Sequence, residues 1–217
     1  MEYIYNNGNI SVVLKVIEAI HQNAAYLSEI DGATGDGDHG INMDKGFLLA
    51  KERINSNMTL SEGFEILGTT LITDIGGSMG PLYGTFFLQL FKVMKDVEQI
   101  TPSLLFYALE SSRTKLMDLA GAKSGDKTLL DTLGPAQEAY KHALDQQQPF
   151  YDMLEALISG AEEGKENTKN LVAKIGRAAR LGERSRGFLD AGAVSCCIIL
   201  TAMAMELQRK IVNSPMP

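Results

Sequence analysis

The chain has 217 residues, 45% hydrophobic and 22% charged, with a formal net charge of −7 at pH 7. That length buries a substantial core, and a single domain over 1–217 is the simplest expectation. The composition excludes a disordered chain, and the negative charge disfavours nucleic acid as a partner.

Apolar spacing predicts the elements in order. Val13, Ile17, Ile20, Ala24 and Leu27 form one helical stripe, and Met43, Phe47, Ala50 and Ile54 a second. Thr59 with Glu62 has the form of a capping box, opening a third helix along Leu60, Phe64, Leu67, Leu71 and Ile75. Gly76 and Gly77 end it. Pro81 suits the first turn of a fourth helix carrying Phe86, Phe87, Leu90, Phe91 and Met94. Thr101 and Pro102 announce a fifth, through Leu105, Leu109, Leu116 and Leu119. A sixth is expected from Asp126–Thr128, a seventh from Phe150 to about Ala173 despite Gly160 and Gly164, and an eighth from about Ala191 to near Asn213. No convincing strand alternation stands out, so the expected fold is all-α, eight antiparallel helices in a bundle or barrel.

The only cysteines, Cys196 and Cys197, are adjacent in an apolar run and read as core residues in a reducing compartment. The first residues lack the features of a secretory leader, and no apolar run approaches the roughly 20 residues that span a bilayer. No membrane association is expected, and the cytoplasm is the expected compartment.

Four connections concentrate glycine with polar residues: DGATGDGDHG, GGSMGPLYG, AGAKSGDKT and GRAARLGERSRGFLDAG. They follow helices one, three, five and seven, so an up-and-down arrangement brings all four to one end and allows one shared site. In the first, Asp31, Asp36 and Asp38 lie within eight residues, and carboxylates so close call for a hard divalent cation between them. The closing Glu of an EF-hand is missing, which rejects a calcium loop of that kind. Gly40 leads into a helix whose first amides can face an anion; beside it, His39 is a metal neighbour, a phosphate donor or a helix-capping surface residue, and Asn42 a phosphate donor or an exposed helix residue. The second loop either lets amides and the Ser78 hydroxyl approach a phosphate or is a helix-helix turn whose glycines permit close packing; the P-loop pattern occurs nowhere. Lys123, Asp126 and Lys127 in the third serve nucleotide, metal or, by default, solvent. The last gathers Arg177, Arg180, Arg184 and Arg186, whose guanidinium forks match phosphate oxygens or pair with surface acids such as Glu183.

The motifs GDGDHGINM (35–43), GGSMGPLYGTFF (76–87), GDKTLLD (125–131) and GRAARLGERSRGFLDAGAVS (176–195) resemble the dihydroxyacetone kinase L subunit. They occur in the family's order over nearly the whole chain. The resemblance implies an eight-helix antiparallel barrel that binds ADP or ATP in the phosphotransferase-system-dependent manner. It implies that Asp31, Asp36 and Asp38 hold a pair of magnesium ions, and that His39, Gly40, Ile41 and Asn42 line the phosphates and adjoining nucleotide. Ser78 and Met79 fall in the family's glycine-rich loop, Ala120 and Leu129 where base and ribose are contacted, and Arg177, Asp190, Ala191 and Gly192 complete the pocket. Met79 replaces a frequent hydroxyl residue, and Asp-Ala-Gly a frequent Asp-Pro-Gly. No catalytic residue is assigned. The implied partners are a K subunit that holds dihydroxyacetone on a histidine and an M subunit whose phosphohistidine recharges the ADP; homodimerisation stays open. Rival readings are a subunit of an ATP-dependent kinase for another small ketose, a relative of the nucleotide domain of fatty-acid kinases, an ADP-loaded regulator of a transcription factor, and a metal-stabilised scaffold.

Overall fold

The computed structural model describes residues 2–213. Eight α-helices account for most of them: α1 (Ser11–Gly32), α2 (His39–Arg53), α3 (Leu60–Asp74), α4 (Met79–Met94), α5 (Pro102–Ala120), α6 (Leu130–Asp145), α7 (Phe150–Asn167) and α8 (Ala191–Gln208). Three starts follow the capping chemistry of the sequence. Thr59 Oγ1 accepts from Glu62 N while the Glu62 carboxylate accepts from Thr59 N, the reciprocal box. Thr101 Oγ1 accepts from Leu104 N ahead of Pro102, and Asp190 accepts from Ala193 N. Gly121, in the left-handed region at φ 59°, closes α5 where a side chain would be strained.

Each helix packs on its successor, and α8 returns to α1, so the eight form a closed ring around one core. Phe47, Phe64, Phe86 and Phe87 cluster in it, with Phe87 edge-on to Phe47 and Phe86 and stacked with Phe64. The glycines that lower the helix propensity of α7 have a packing role. A Cβ on Gly160 would lie 2.5 Å from Pro135 O, and one on Gly164 would lie 2.3 Å from Asp131 O, so α6 and α7 meet backbone to backbone. Helix α8 is long and apolar enough to cross a membrane, but two thirds of it is buried in this fold. Cys196 and Cys197 lie within that buried surface, as expected.

The sequence reading needs four corrections. A small antiparallel sheet, β1 (Glu2–Tyr5), β2 (Gln99–Ile100) and β3 (Val212–Asn213), ordered β2-β1-β3, ties the N-terminal ends of α1 and α5 to the chain after α8. Its strands are too short for alternation to register. Buried Asn6 secures this end, donating to Ser61 Oγ and to the Met94 and Val97 carbonyls while accepting from Ser61 N. Helix α6 begins at Leu130, not Asp126, because the Asp131 carboxylate accepts the amides of Gly125 and Thr128 and folds the GDKT segment back as a turn. Helix α7 stops at Asn167: the Thr168 hydroxyl donates to Lys165 O, Leu171 turns extended, and 3-10 turns at Thr168–Asn170 and over Arg177–Ser185, the latter broken at Gly182, carry the chain to α8. Helix α8 ends at Gln208, before β3; the prolines at 215 and 217 lie outside the described residues.

Candidate nucleotide and metal site

The connections after α1, α3, α5 and α7 converge at the end away from the sheet, around a cavity of about 480 Å³, within the range of small-molecule sites. Asp31, Asp36 and Asp38 lie on it, one carboxylate oxygen from each within 4.8 Å of the others. The last turn of α1 carries Asp31, whose Oδ2 also accepts the first amide of α2, from His39, at 3.4 Å. Glycine makes the turn between them. Gly37 is left-handed at φ 77°, and a Cβ on Gly35 would strike Asp31 Oδ1 at 2.4 Å. Three hard oxygen donors converging on one point fit a divalent cation of the magnesium type. Arg177 reaches the same point from the loop after α7, paired with Asp36 and 3.8 Å from Asp38.

His39, Asn42, Ser78, Met79, Ala120, Leu129, Asp190, Ala191 and Gly192 also line the cavity. Ser78 is the residue before α4, and its hydroxyl makes no capping bond. Leu82, Leu116, Leu119, Leu129 and Ile175 give the cavity an apolar wall, contributed by chain segments other than the acidic one. Asp190 caps α8, and burial pushes its carboxyl up to about 6, against the lowering effects of the Ala193 amide and Lys127.

Two of the expected residues lie off the cavity. Gly40 packs on α1, where a Cβ would overlap the Ala24 carbonyl, so the glycine is required by helix packing. The Ile41 side chain is 66% exposed on the outer face of α2. Their amides, with that of His39, are still the ones that the start of α2 leaves without intrahelical partners. Arg180, Arg184 and Arg186 are not among the lining residues. Arg186 pairs with Glu183 at 3.2 Å and donates to Asn170 O.

Of the uses the sequence leaves open for Lys127, the structure excludes solvent, and the residue lies on the cavity lining. The solvent reading expects an exposed ammonium; this one is 1% exposed and donates to the carbonyls of Ser185 (2.6 Å), Phe188 (2.7 Å) and Leu171 (3.3 Å). Burial lowers its pKa and the nearby Asp190 opposes that. Asp126 works alongside it, accepting from Lys174 Nζ through its carboxylate and from Lys174 N through its carbonyl. The GDKT turn thus clasps the loop that carries Arg177. Sequence hints at this only through GDKT, since the three acceptors are backbone carbonyls some 44 to 61 residues away.

A closed ring of eight helices with an acid-lined cavity at its loop end defines a helical-barrel domain built to hold a small ligand. The family model described as the DAK2 domain matches residues 33–205, and the chain belongs to that family. It is similar to the PEP-dependent dihydroxyacetone kinase 1, ADP-binding subunit DhaL, of Listeria innocua, at 36% identity over 86% of this chain and 89% of the relative. The corresponding ADP-binding subunit of Escherichia coli is 33% identical over 83% of this chain and 87% of its own length. Among solved structures, the native dihydroxyacetone kinase of C. freundii superposes with a TM-score of 0.67 at 25% identity, covering 90% of this chain. The chain spans about a third of that kinase, 34%. The same kinase in complex with AMP-PNP and Mg2+ shares the fold, with a TM-score of 0.66 at 24% identity over 91% of this chain and 33% of that one.

Proposed function

We propose that the cavity binds ADP or ATP with magnesium, and that the chain is the nucleotide-binding subunit of a dihydroxyacetone kinase, folded as one domain. The observation that carries this reading is the meeting of Asp31, Asp36, Asp38 and Arg177 on a cavity with an apolar wall. Polyphosphate and base need those two environments. The ADP-binding relatives name the ligand class.

Asp31, Asp36 and Asp38 would hold a pair of magnesium ions. Magnesium there would neutralise the phosphate charge that builds up in phosphoryl transfer. Arg177, which balances the carboxylates in the structure, offers its planar fork to phosphate oxygens. The first amides of α2 and the Ser78 hydroxyl add directed donors, and the apolar wall of Leu116, Leu119, Ala120 and Leu129 takes the base and ribose. No side chain of the cavity is a nucleophile for the phosphoryl group in this scheme. The chain contributes positioning and charge compensation.

The sugar belongs to a partner. In this reading dihydroxyacetone sits on a K subunit and an M subunit's phosphohistidine recharges bound ADP, in the cytoplasm, so the chain alone turns nothing over. The test is to denature the purified protein and assay the released nucleotide and magnesium. ADP is expected. No nucleotide released, and none bound on titration with magnesium present, would overturn the reading. Adding a K subunit with ATP, or with phosphorylated M subunit, then identifies the donor.

A further inference from the structure

Tyr83, in the GGSMGPLYG motif, and Ser195, at the end of GFLDAGAVS, have no part in the scheme above. Tyr83 lines the cavity itself, and the structure joins it through Ser195 to a second cavity residue, His39. Tyr83 Oη lies 2.6 Å from Ser195 Oγ, and Ser195 Oγ lies 2.9 Å from His39 Nε2. The Gly192 carbonyl is 3.0 Å from Tyr83 Oη and 3.1 Å from Ser195 Oγ. Both hydroxyl residues are buried. The chain of contacts crosses three helices, α4, α8 and α2, and has both its ends, Tyr83 and His39, on the cavity wall.

We infer that Tyr83 and Ser195 are positioning residues that fix the His39 ring and place its proton on Nδ1, so that the cavity is offered an N–H donor suited to a phosphate oxygen. The phosphate as ligand rests on the function proposed above; the proton placement rests on the hydrogen-bond distances and the chemistry of the hydroxyls.

Two hydroxyl protons serve the cluster, and their order follows from chemistry. Oxygens 2.6 Å apart need a proton between them. The phenol is the more acidic hydroxyl and the better donor, and burial keeps it protonated by raising its pKa well above the ordinary value. Tyr83 therefore donates to Ser195, the nearer acceptor at 2.6 Å, rather than to the Gly192 carbonyl at 3.0 Å. The Ser195 proton has two acceptors in reach, Nε2 of His39 and the Gly192 carbonyl. That carbonyl, in the first turn of α8, already accepts a helical amide and lies farther from Ser195 Oγ, at 3.1 Å, than Nε2 does, at 2.9 Å. The proton goes to Nε2. In a neutral imidazole an accepting Nε2 leaves the hydrogen on Nδ1, and the two ring nitrogens then have fixed and different duties.

The test reads the tautomer directly. Protein labelled with 15N and freed of nucleotide by EDTA and dialysis is compared, at one fixed pH, with Ser195→Ala and Tyr83→Phe by long-range 1H–15N correlation of the imidazoles. His39→Gln identifies the His39 signals among the three histidines. The expected wild-type pattern is a protonated Nδ1 and an unprotonated Nε2. Ser195→Ala should move the ring towards the Nε2-protonated form and weaken Mg-ADP binding about tenfold. Tyr83→Phe should shift both readouts in the same direction by less. Circular dichroism and melting confirm that each variant is folded, and Tyr83→Phe carries the test if Ser195→Ala does not fold. A wild-type ring protonated on Nε2, or an unchanged tautomer in both folded variants, overturns the inference. Failure of the wild type to bind Mg-ADP instead overturns the proposed function, because the tautomer is read without nucleotide. Equal Mg-ADP affinity in wild type and both variants removes the positioning role and leaves the proposed function intact.

Discussion

Replacing Lys127 by Met keeps the aliphatic stem and removes only the ammonium. Two of its three hydrogen bonds are short, to Ser185 O and Phe188 O, and the third, to Leu171 O, is long. Hydrogen bonds from a charged donor contribute about 1.5–3 kcal/mol each. Part of that is returned, because burial penalises the ammonium, as its lowered pKa records. Counting the two short bonds at the lower end gives a loss of about 3 kcal/mol. It should fall on the 171–190 loop, since all three acceptors lie there and the ring of helices closes without it. Hydrogen exchange read peptide by peptide should accelerate more than a hundredfold in that loop and little in α3 and α4, which corresponds to about 3 kcal/mol of local opening. Affinity for Mg-ADP should fall in step, because Arg177 rides on the loop. Unchanged exchange in 171–190 would refute the clasp, and equal acceleration in every helix would make Lys127 a global stability residue.

Asp190 gives a pH signature. Its folded carboxyl is raised from 3.8 to about 6, so the native state binds the proton more tightly than the unfolded chain; the stability it contributes is present in full below about pH 3.8 and is lost as pH rises through about 6. Asp190→Asn keeps an N-cap acceptor and removes the titration, so denaturant melts should find the variant gaining on wild type between pH 4 and 6.5, by about 3 kcal/mol at the upper end. A difference that stays flat with pH would contradict the burial argument. Gly164→Ala gains about 1 kcal/mol of helix propensity but drives a methyl into the α6 backbone at Asp131, so urea melts should show a net loss of about 1–2 kcal/mol. Asp36→Ala should leave the circular dichroism unchanged and weaken Mg-ADP binding by at least tenfold in calorimetry; a loss of helix would favour a structural role for the acidic cluster.

The sequence by itself determined the elements whose causes are local. Thr59 with Glu62 and Thr101 with Pro102 set helix starts through contacts within one turn, and the apolar stripes chose which faces turn inward. The acidic cluster was legible too, because three carboxylates interleaved with glycine are a charge problem visible in one dimension. Tertiary structure decided what depends on distant partners. Asp131 reaches back to stop the helix from starting at Asp126, and Lys127 spends its charge on carbonyls of another loop. Gly160 and Gly164, which weaken a helix taken alone, let α7 pack closely against α6. Gly40 answers to α1, and His39 meets Ser195, 156 positions away. Propensity, capping and charge density act over a few residues and can be read along the chain. Whether a polar group is a ligand, a clasp or a spacer depends on the groups it is buried against, and only the closing of the ring brings those together.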